Sequence, residues 1–192
     1  MKFAIIGDYI IDEFINYTSI KISPESPCPV VKLKSSKILP GGAANVANSC
    51  NKIGLDFSFI FCTEINKNQN IQKFSNNTFT YTRKEFIQSH KKRHCVDNIQ
   101  FFREDKETIS NKFEPDFNLI DNILSYLQNE QIDFILISDY QKGALTEQEL
   151  SYLIKKAKEK NIKSIIDTKI SNPSFLEDCF LLKPNLNEFC KL

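Results

Sequence analysis

Short apolar runs alternate with amphipathic stretches along this chain, and each kind of pattern predicts its own secondary structure. Four runs have the length of buried strands: residues 2–6, 134–137, 162–166 and 180–182. Pro115 opens one amphipathic helix, and Thr146 with Glu149 has the spacing of a capping box that opens another. Strands that alternate with helices of this length form parallel sheets covered on both faces. The pattern therefore predicts an α/β fold.

Two segments depart from this alternation. Residues 13–39 are β-branched and loosely alternating around the string SPESPCP, and residues 90–105 are strand-like but more polar than a core strand. The prolines forbid a central strand or helix, so the first segment is expected to form two exposed strands or a hairpin. We expect both segments to build a small β appendage on one domain of residues 1–192.

A glycine pair introduces a further helix. Gly41 and Gly42 precede AANVANSCNKI, whose apolar positions recur at helical spacing, and Gly54 supplies a C-terminal stop. A helix N-terminus presents unpaired N–H groups, and glycine lets a ligand approach them, although the same pair also suits an ordinary loop-to-helix junction. Asn45, one turn in, either hydrogen-bonds a ligand hydroxyl or is a solvated helix residue.

Polar residues follow each of the four predicted core strands. They are Gly7-Asp8, Ser138-Asp139-Tyr140, Asp167-Thr168-Lys169 and Lys183-Pro184-Asn185. Ligands of open parallel sheets bind outside the carboxyl ends of the strands, so these residues predict a site for a small polar ligand at one edge. Any single one of them also serves as a turn former or helix N-cap, but four such loops together favour a site.

A basic segment contains the two histidines of the chain. His90 and His94 lie four residues apart with no carboxylate spaced for a metal site, so a solvated basic stretch is the better interpretation than a metal pair. If the segment is instead a strand, Lys91 and Arg93 share a face that suits a phosphate group.

Composition excludes several classes of function. The chain carries 25 Lys and Arg against 24 Asp and Glu, spread as single alternating charges, which argues against a dedicated binder of nucleic acid or anionic membranes. Asp8 and Asp12 interrupt the apolar N-terminus, so neither a signal peptide nor a membrane span is predicted, and we expect a cytoplasmic protein. The six widely spaced cysteines are expected to be reduced and mostly buried. Residues 64–77, rich in Asn, Gln and Lys, predict a surface loop or frayed helix.

Seven strings, in order along the chain, resemble the ribokinase-like (PfkB) sugar kinases. They are GDYIID, ISPESPCPVVK, PGGAANVA, KKRHCVDNIQFFRED, SDYQKGAL, IDTK and KPNLNEF. ISPESPCPVVK with PGGAANVA is specific to the D-glycero-D-manno-heptose 7-phosphate kinases of bacterial ADP-heptose synthesis, to which the chain is most similar. The resemblance implies a ribokinase-like parallel sheet flanked by helices, and a β lid that closes over the sugar and often pairs with the lid of a second subunit.

The resemblance also implies roles for individual residues. Asp8 matches the position that holds sugar hydroxyls, the Gly-Gly-x-x-Asn motif binds sugar, and the basic strand pair meets the phosphate of the substrate. The matching substrate-side residues are Asp8, Asp12, Gly41, Gly42, Asn45, Lys91, Arg93, Asp139 and Lys142. The matching residues on the ATP side are Asp167, Lys169, Asn185 and Glu188, of which Glu188 helps to organise magnesium indirectly.

The chain departs from the family pattern at several points. The second glycine motif expected after Ile60 is missing, His90 replaces a usual Thr, Asp97 replaces a usual Arg, and Thr168 replaces the proline of a D-P-K string. No glycine follows Gly143, so the G-A-G-D string is absent, and with it the backbone anion hole and the Asp general base. We therefore expect a sheet incomplete at its C-terminal end, a chain truncated relative to the family, and no catalytic residue of its own.

Three hypotheses follow. The first is an ATP- and Mg²⁺-dependent heptose 7-phosphate kinase for surface-saccharide synthesis, present as its sugar-binding half, with the catalytic half on another polypeptide or lost. The second is a non-catalytic phosphosugar-binding or partner subunit, and the third is a decaying gene product that folds poorly because of an exposed edge strand. Because one oxyanion donor alone is worth about 10²–10³ in rate, little turnover is expected from this chain by itself.

Overall fold

A computed structural model describes residues 2–64, 72, 74–75, 77–108 and 113–191. Its strands are β1 (Phe3–Gly7), β2 (Tyr9–Ile22), β3 (Pro29–Gly42), β4 (Ser58–Cys62), β5 (Asn77–Tyr81), β6 (Ser89–Val96), β7 (Ile99–Lys106), β8 (Phe134–Asp139), β9 (Lys163–Thr168) and β10 (Leu181–Leu182). Its α-helices are α1 (Ala43–Lys52), α2 (Phe117–Asn129), α3 (Glu147–Glu159) and α4 (Leu186–Phe189), and a 3₁₀ turn spans Pro173–Phe175.

Six strands form a parallel core sheet in the order β10-β9-β8-β1-β4-β5. The central strand β1 is apolar throughout and pairs with β8 on one side and β4 on the other, with Ile5 opposite Leu136 and Phe59. Because successive side chains of a strand point to opposite faces, β1 feeds two apolar layers. Ile6 packs in the layer under α2 and α3, whereas Ile5 packs in the layer under α1.

Four strands form a second, mixed sheet in the order β3-β2-β6-β7, which we call the lid. β2 and β3 pair as a long antiparallel hairpin from Tyr9 opposite Gly42 to Ile22 opposite Pro29, with register shifts near Tyr17. β6 pairs parallel with β2 and antiparallel with β7. Since β2 begins two residues after the end of β1 and β3 leads directly into α1, the lid grows out of the carboxyl edge of the core sheet.

The α/β fold with a ribokinase-like parallel sheet and a β lid is confirmed, and so is the capping box of Thr146 and Glu149. The lid is longer than predicted, at 9–42 and 89–106, because hairpin pairing continues to the glycine pair. The predictions omitted β4 and the polar edge strand β5. The segment predicted as a loop or frayed helix at 64–77 lies largely outside the described residues.

The cysteine prediction was partly wrong. All six thiols are free, but only Cys62 and Cys95 are buried, whereas Cys28 and Cys190 are exposed. Cys28 belongs to the turn between the lid strands and Cys190 follows the short helix α4, and neither place provides an apolar layer. Among the described residues, no helix is long and apolar enough to cross a membrane.

Candidate functional site

Asp8, the single residue between β1 and β2, is a buried carboxylate that holds a loop. Its Oδ2 accepts the backbone N–H groups of Tyr140 at 2.7 Å and Lys142 at 3.1 Å, and its Oδ1 accepts that of Ala144 at 3.0 Å. Burial raises the pKa of this carboxyl above its usual range. Both oxygens are thus engaged by backbone donors, and Asp8 is 2 % exposed, so the structure gives it the geometry of a loop support. Its predicted contact with sugar hydroxyls stays a prediction.

Asp139 lies beside Asp8 at the end of β8. Its Oδ2 accepts the hydroxyl of Thr168 at 2.6 Å, and its Oδ1 accepts the N–H of Gln141 at 2.9 Å. Burial, followed by the charge of Asp8, raises the pKa of Asp139 to about 7. Thr168 also accepts the N–H of Ile170 at 3.0 Å, so the residue that replaces the family's proline joins β8 to the loop after β9. Sequence reasoning treated Thr168 only as a departure and missed this role.

Lys142 extends from the same loop toward the segment that follows the lid. Its Nζ pairs with Glu107 Oε1 at 2.7 Å, and both side chains are partly exposed. Glu107 was not predicted as a site residue, because a single Glu after a polar strand has no distinctive spacing. Among the described residues, the second carboxylate oxygen of Glu107 has no hydrogen-bond partner although it is buried.

The glycine pair brings the lid and α1 close together. Gly42 has a φ of 58°, which favours glycine, and α1 begins directly after it with the N–H of Ala43 bonded to the carbonyl of Asp8 at 2.9 Å. A Cβ on Gly41 would lie 2.6 Å from Asp12 Oδ2. Asn45 is exposed in the first turn of α1, and its side chain has no hydrogen bond to any described residue.

One face of the lid carries Asp12 and the predicted basic pair. Arg93 Nη2 donates to Asp12 Oδ1 at 3.1 Å, and its guanidinium stacks over the ring of Phe14. In the register of β2 and β6, Asp12 lies opposite Lys91 and Phe14 lies opposite Arg93, so all four belong to the same face. Within the described part of the chain, Lys91 makes no ion pair. The prediction that Lys91 and Arg93 share a strand face is confirmed.

The opposite face of the lid carries both histidines. His90 lies 2.9 Å from Glu13, and His94 Nδ1 lies 2.8 Å from the hydroxyl of Tyr17. The ring of His94 also stacks on Phe102 with centroids 3.8 Å apart. The described residues include no group of three or more potential metal ligands.

The loops after β9 and β10 form an ion-paired cluster at the far end of the same sheet edge. Lys169 pairs with Glu188, and Lys183 pairs with Asp167 at 3.2 Å. Asn185 and Glu188 form a reciprocal capping box on α4, and the hydrogen bond from Lys169 lowers the pKa of Glu188 below its usual range. Because both oxygens of Glu188 already have partners, these described residues do not fit a directly bound magnesium ion.

The predicted site residues occupy three places, of which two are at the carboxyl edge of the core sheet and one is a face of the lid. Asp8, Asp139 and Lys142 build the loop after β8, and the N–H of Lys169 bonds to the carbonyl of Asp139 at 3.1 Å, which connects that loop to the ion-paired cluster. The third place is the lid face with its glycine neighbour. The loop after β8 contains or is held by Asp8, Asp139 and Lys142. The lid face and the adjoining start of α1 carry Asp12, Gly41, Gly42, Asn45, Lys91 and Arg93, and the ion-paired cluster contains Asp167, Lys169, Asn185 and Glu188.

Comparison with known proteins identifies relatives of the whole described fold. The chain is 33 % identical over 199 residues to bifunctional protein HldE of Rhodopseudomonas palustris, covering 96 % of this chain and 39 % of the relative. It is 36 % identical over 197 residues to bifunctional protein HldE of Campylobacter jejuni, covering 97 % of this chain and 40 % of the relative. The chain therefore spans about two fifths of the length of these relatives. No family model matches the chain.

Solved structures share the fold at low sequence identity. Arabidopsis thaliana ribokinase, complexed with ribose and ATP, matches with a TM-score of 0.66 and 13 % identity over 100 % of this chain and 62 % of its own. A possible 1-phosphofructokinase from Thermotoga maritima matches with a TM-score of 0.67 and 15 % identity over 97 % of this chain and 61 % of its own.

The core sheet, the lid and the polar carboxyl edge between them define a ribokinase-like protein. The solved relatives show this architecture, and the curated relatives extend the likeness to the sequence itself. The chain belongs to the PfkB family of ribokinase-like kinases, as a homologue of the N-terminal two fifths or so of HldE.

Proposed function

We propose that this chain is the phosphosugar-binding half of an ATP-dependent kinase for heptose 7-phosphate. One observation carries the proposal: Asp12 lies on the lid face between the guanidinium of Arg93, at 3.1 Å, and the backbone of Gly41, where a Cβ would lie 2.6 Å from Asp12 Oδ2. A carboxylate beside a bare backbone suits sugar hydroxyls, and a basic pair on the same face suits a phosphate group.

Each group has a distinct task in this proposal. Asp12 accepts hydrogen bonds from sugar hydroxyls, and the amide of Asn45 both accepts and donates them. The glycine pair lets the sugar lie against the start of α1. Lys91, which has no ion pair among the described residues, joins Arg93 on the substrate's phosphate. Asp8 acts by holding the loop that carries Lys142 and by placing Asp139.

The ATP side of the proposal involves the ion-paired cluster. Lys169 and Lys183 supply positive charge near the ends of β9 and β10, which suits the phosphates of a nucleotide once their present carboxylate partners give way. ATP with magnesium supplies the phosphoryl group in this family of kinases. The described residues do not hold the metal directly, so the indirect role of Glu188 toward magnesium remains a proposal.

The test compares two adjacent lysines of β6 that point to opposite faces. Thermal shift and calorimetric titration with heptose 7-phosphate should show binding to the unchanged chain. Lys91→Met should weaken this binding about tenfold, the value of one charge-assisted contact, whereas Lys92→Met, on the other face and paired with Glu104, should leave it unchanged. Equal effects of the two substitutions, or no binding by the unchanged chain, would contradict the proposal.

A second candidate is a non-catalytic phosphosugar-binding or partner subunit. The 192 residues contain no G-x-G-D string, and several surfaces are open to a partner. Leu33, Ile38 and Phe102 are exposed on the histidine-bearing face of the lid, which supports a homodimer through the lid. Phe180 and Leu181, exposed beside the edge strand β10, support a second polypeptide.

Two measurements distinguish the candidates. Turnover of heptose 7-phosphate with ATP and Mg²⁺ by the chain alone would support the kinase and refute the need for an anion hole. Binding without turnover, together with a dimer in light scattering that Leu33→Glu converts to a monomer, would support the second candidate. In both cases we propose a cytoplasmic protein that contacts neither nucleic acid nor membrane.

A further inference from the structure

A buried ion pair behind the candidate site has no role in the function proposed so far. Arg83, two residues after β5, pairs with Glu149 Oε2 at 2.6 Å, and the side chains are 7 % and 0 % exposed. Removing two charges from water is costly unless the groups are well paired, so a buried pair of this kind calls for an explanation beyond stability.

Arg83 and Tyr81 both donate to one backbone carbonyl. Arg83 Nη2 also donates to the carbonyl of Ala144 at 3.0 Å, and the hydroxyl of Tyr81 donates to the same carbonyl at 2.6 Å. The N–H of Ala144 donates to Asp8 on the other side. The backbone of Ala144 is therefore held on both sides of its Cα, by Asp8 at its N–H and by Tyr81 and Arg83 at its carbonyl.

The loop that ends at Ala144 needs such support. Gln141 and Gly143 have φ values of 54° and 93°, and the left-handed region is unfavourable for a residue with a side chain such as Gln141. Alternate N–H groups of the loop all turn toward Asp8, an arrangement that the loop's own sequence does not enforce.

Glu149 extends the support to two further segments. Its Oε2 accepts the N–H of Thr146 at 2.8 Å and its Oε1 accepts the N–H of Asp116, the N-cap of α2, at 2.7 Å. One carboxylate thus joins the loop to the starts of α2 and α3, and Arg83 joins all of them to the edge strand β5. Among the described residues of this network, the Nε of Arg83 is the buried side-chain atom that lacks a hydrogen-bond partner.

We propose that Arg83 is a positioning residue that fixes the 139–144 loop through the carbonyl of Ala144 and thereby sets the places of Asp139 and Lys142. Arg83 touches neither of these side chains in the structure. The geometry of the loop does not depend on the proposed function, but the consequence for ligand binding rests on it.

The test removes both charges together, because removing one would leave the other buried and unpaired. In the double variant Arg83→Met with Glu149→Gln, hydrogen exchange of the amides of residues 140, 142 and 144 should become about 10- to 100-fold faster, as expected for loss of a charged hydrogen bond in a local opening. Tyr81→Phe, which removes only the second donor to Ala144, should give a smaller acceleration at the same three amides.

The matched control is Leu127→Ala in α2, which lowers global stability from the core without touching the network. It should accelerate the loop amides no more than the amides of β1. A loop acceleration in the double variant that is no larger than that of β1 would overturn the inference. Titration with heptose 7-phosphate separates the two ideas: failure of the unchanged chain to bind refutes the proposed function, while the exchange data still decide the positioning role.

Discussion

Two buried carboxylates at the ends of core strands differ from Asp12 of the lid in how many of their oxygens have hydrogen-bond partners. Asp8 and Asp139 are buried at the end of core strands, and every oxygen accepts a hydrogen bond from the protein. Asp12 in the lid is partly exposed and keeps one oxygen without a partner among the described residues, whereas Glu13, on the other face of the lid, accepts from Ser36 and contacts His90. A buried carboxylate whose oxygens all have partners supports the fold, whereas the unpartnered oxygen of Asp12 can still accept a hydrogen bond.

The largest expected effect comes from removing the carboxylate of Asp8. Asp8→Asn should lower the free energy of unfolding by about 4 kcal/mol, because three backbone N–H groups lose a charged acceptor and one meets a donor instead. Urea denaturation measures the change. Asp167→Asn, whose pairing with Lys183 is solvent-exposed, is the control and should change stability by less than about 0.5 kcal/mol. Similar effects would contradict the distinction between buried, fully hydrogen-bonded carboxylates and exposed ones.

The second prediction concerns the pH dependence of stability. Because burial raises the pKa of Asp139 to about 7 in the folded chain, the folded state holds its proton more tightly than the unfolded state does. The contribution of Asp139 to stability is therefore complete below pH 4 and is lost as the pH rises to 7, with a slope of about 1 kcal/mol per pH unit.

Urea unfolding across this pH range checks the sign. Asp139→Asn does not titrate, so the slope between pH 4 and 7 should become shallower in that variant. Asp8 contributes with the same sign because burial also raises its pKa, so part of the slope should remain. A slope unchanged by Asp139→Asn would mean that Asp139 is ionised throughout this range.

The third prediction concerns Gly41, which lies next to Asp12 of the lid. Gly41→Ala places a methyl group 2.6 Å from Asp12 Oδ2, which must move, and heptose 7-phosphate affinity should fall about tenfold. Gly54→Ala is the matched control: its φ of 75° costs about 1 kcal/mol of stability, but nothing lies within 4 Å of the new carbon, so binding should persist. Calorimetric titration distinguishes the two, and equal losses of affinity would remove Gly41 from the site.

The smallest expected effect is at the partly exposed ion pair of Lys169 and Glu188. Glu188→Gln loses its charge but keeps an oxygen that accepts the N–H of Asn185, so stability should change by less than about 0.5 kcal/mol. Thermal denaturation at low and high salt measures this. A change above about 2 kcal/mol would show that this cluster, like Asp8, contributes substantially to the stability of the fold.

The sequence was sufficient for the parts of the fold with strong local signals. The strands at β1, β8 and β9 are short apolar runs, and the helices α1 and α3 begin at a glycine pair and a capping box, so their existence followed from pattern alone. β5 was missed because its sequence, NTFTY, is a polar edge strand whose formation depends on pairing with β4.

The site was harder to predict than the fold. The motif positions placed polar residues at the ends of the core strands. The hydrogen bonds of Asp8, however, come from backbone N–H groups 132 to 136 residues away, and backbone donors carry no sequence signature. The network of Arg83 and Glu149 was missed for a related reason. Glu149 was predicted as part of a capping box, which the structure confirms. Its ion pair with Arg83, two residues after β5, depends on the folded arrangement and has no local sequence signal.

A single residue separates the central core strand from the long first strand of the lid, and this spacing has a mechanical consequence. Both neighbouring ladders are in register up to the joint, Gly7 opposite Ser138 on one side and Tyr9 opposite Gly42 on the other. One inserted or deleted residue at this joint would exchange the two faces of β2 relative to β1, so the single-residue spacing between the core sheet and the lid is tightly constrained. Any tilt of the lid relative to the core sheet would involve this joint, where the Asp8 carboxylate is anchored to the neighbouring loop.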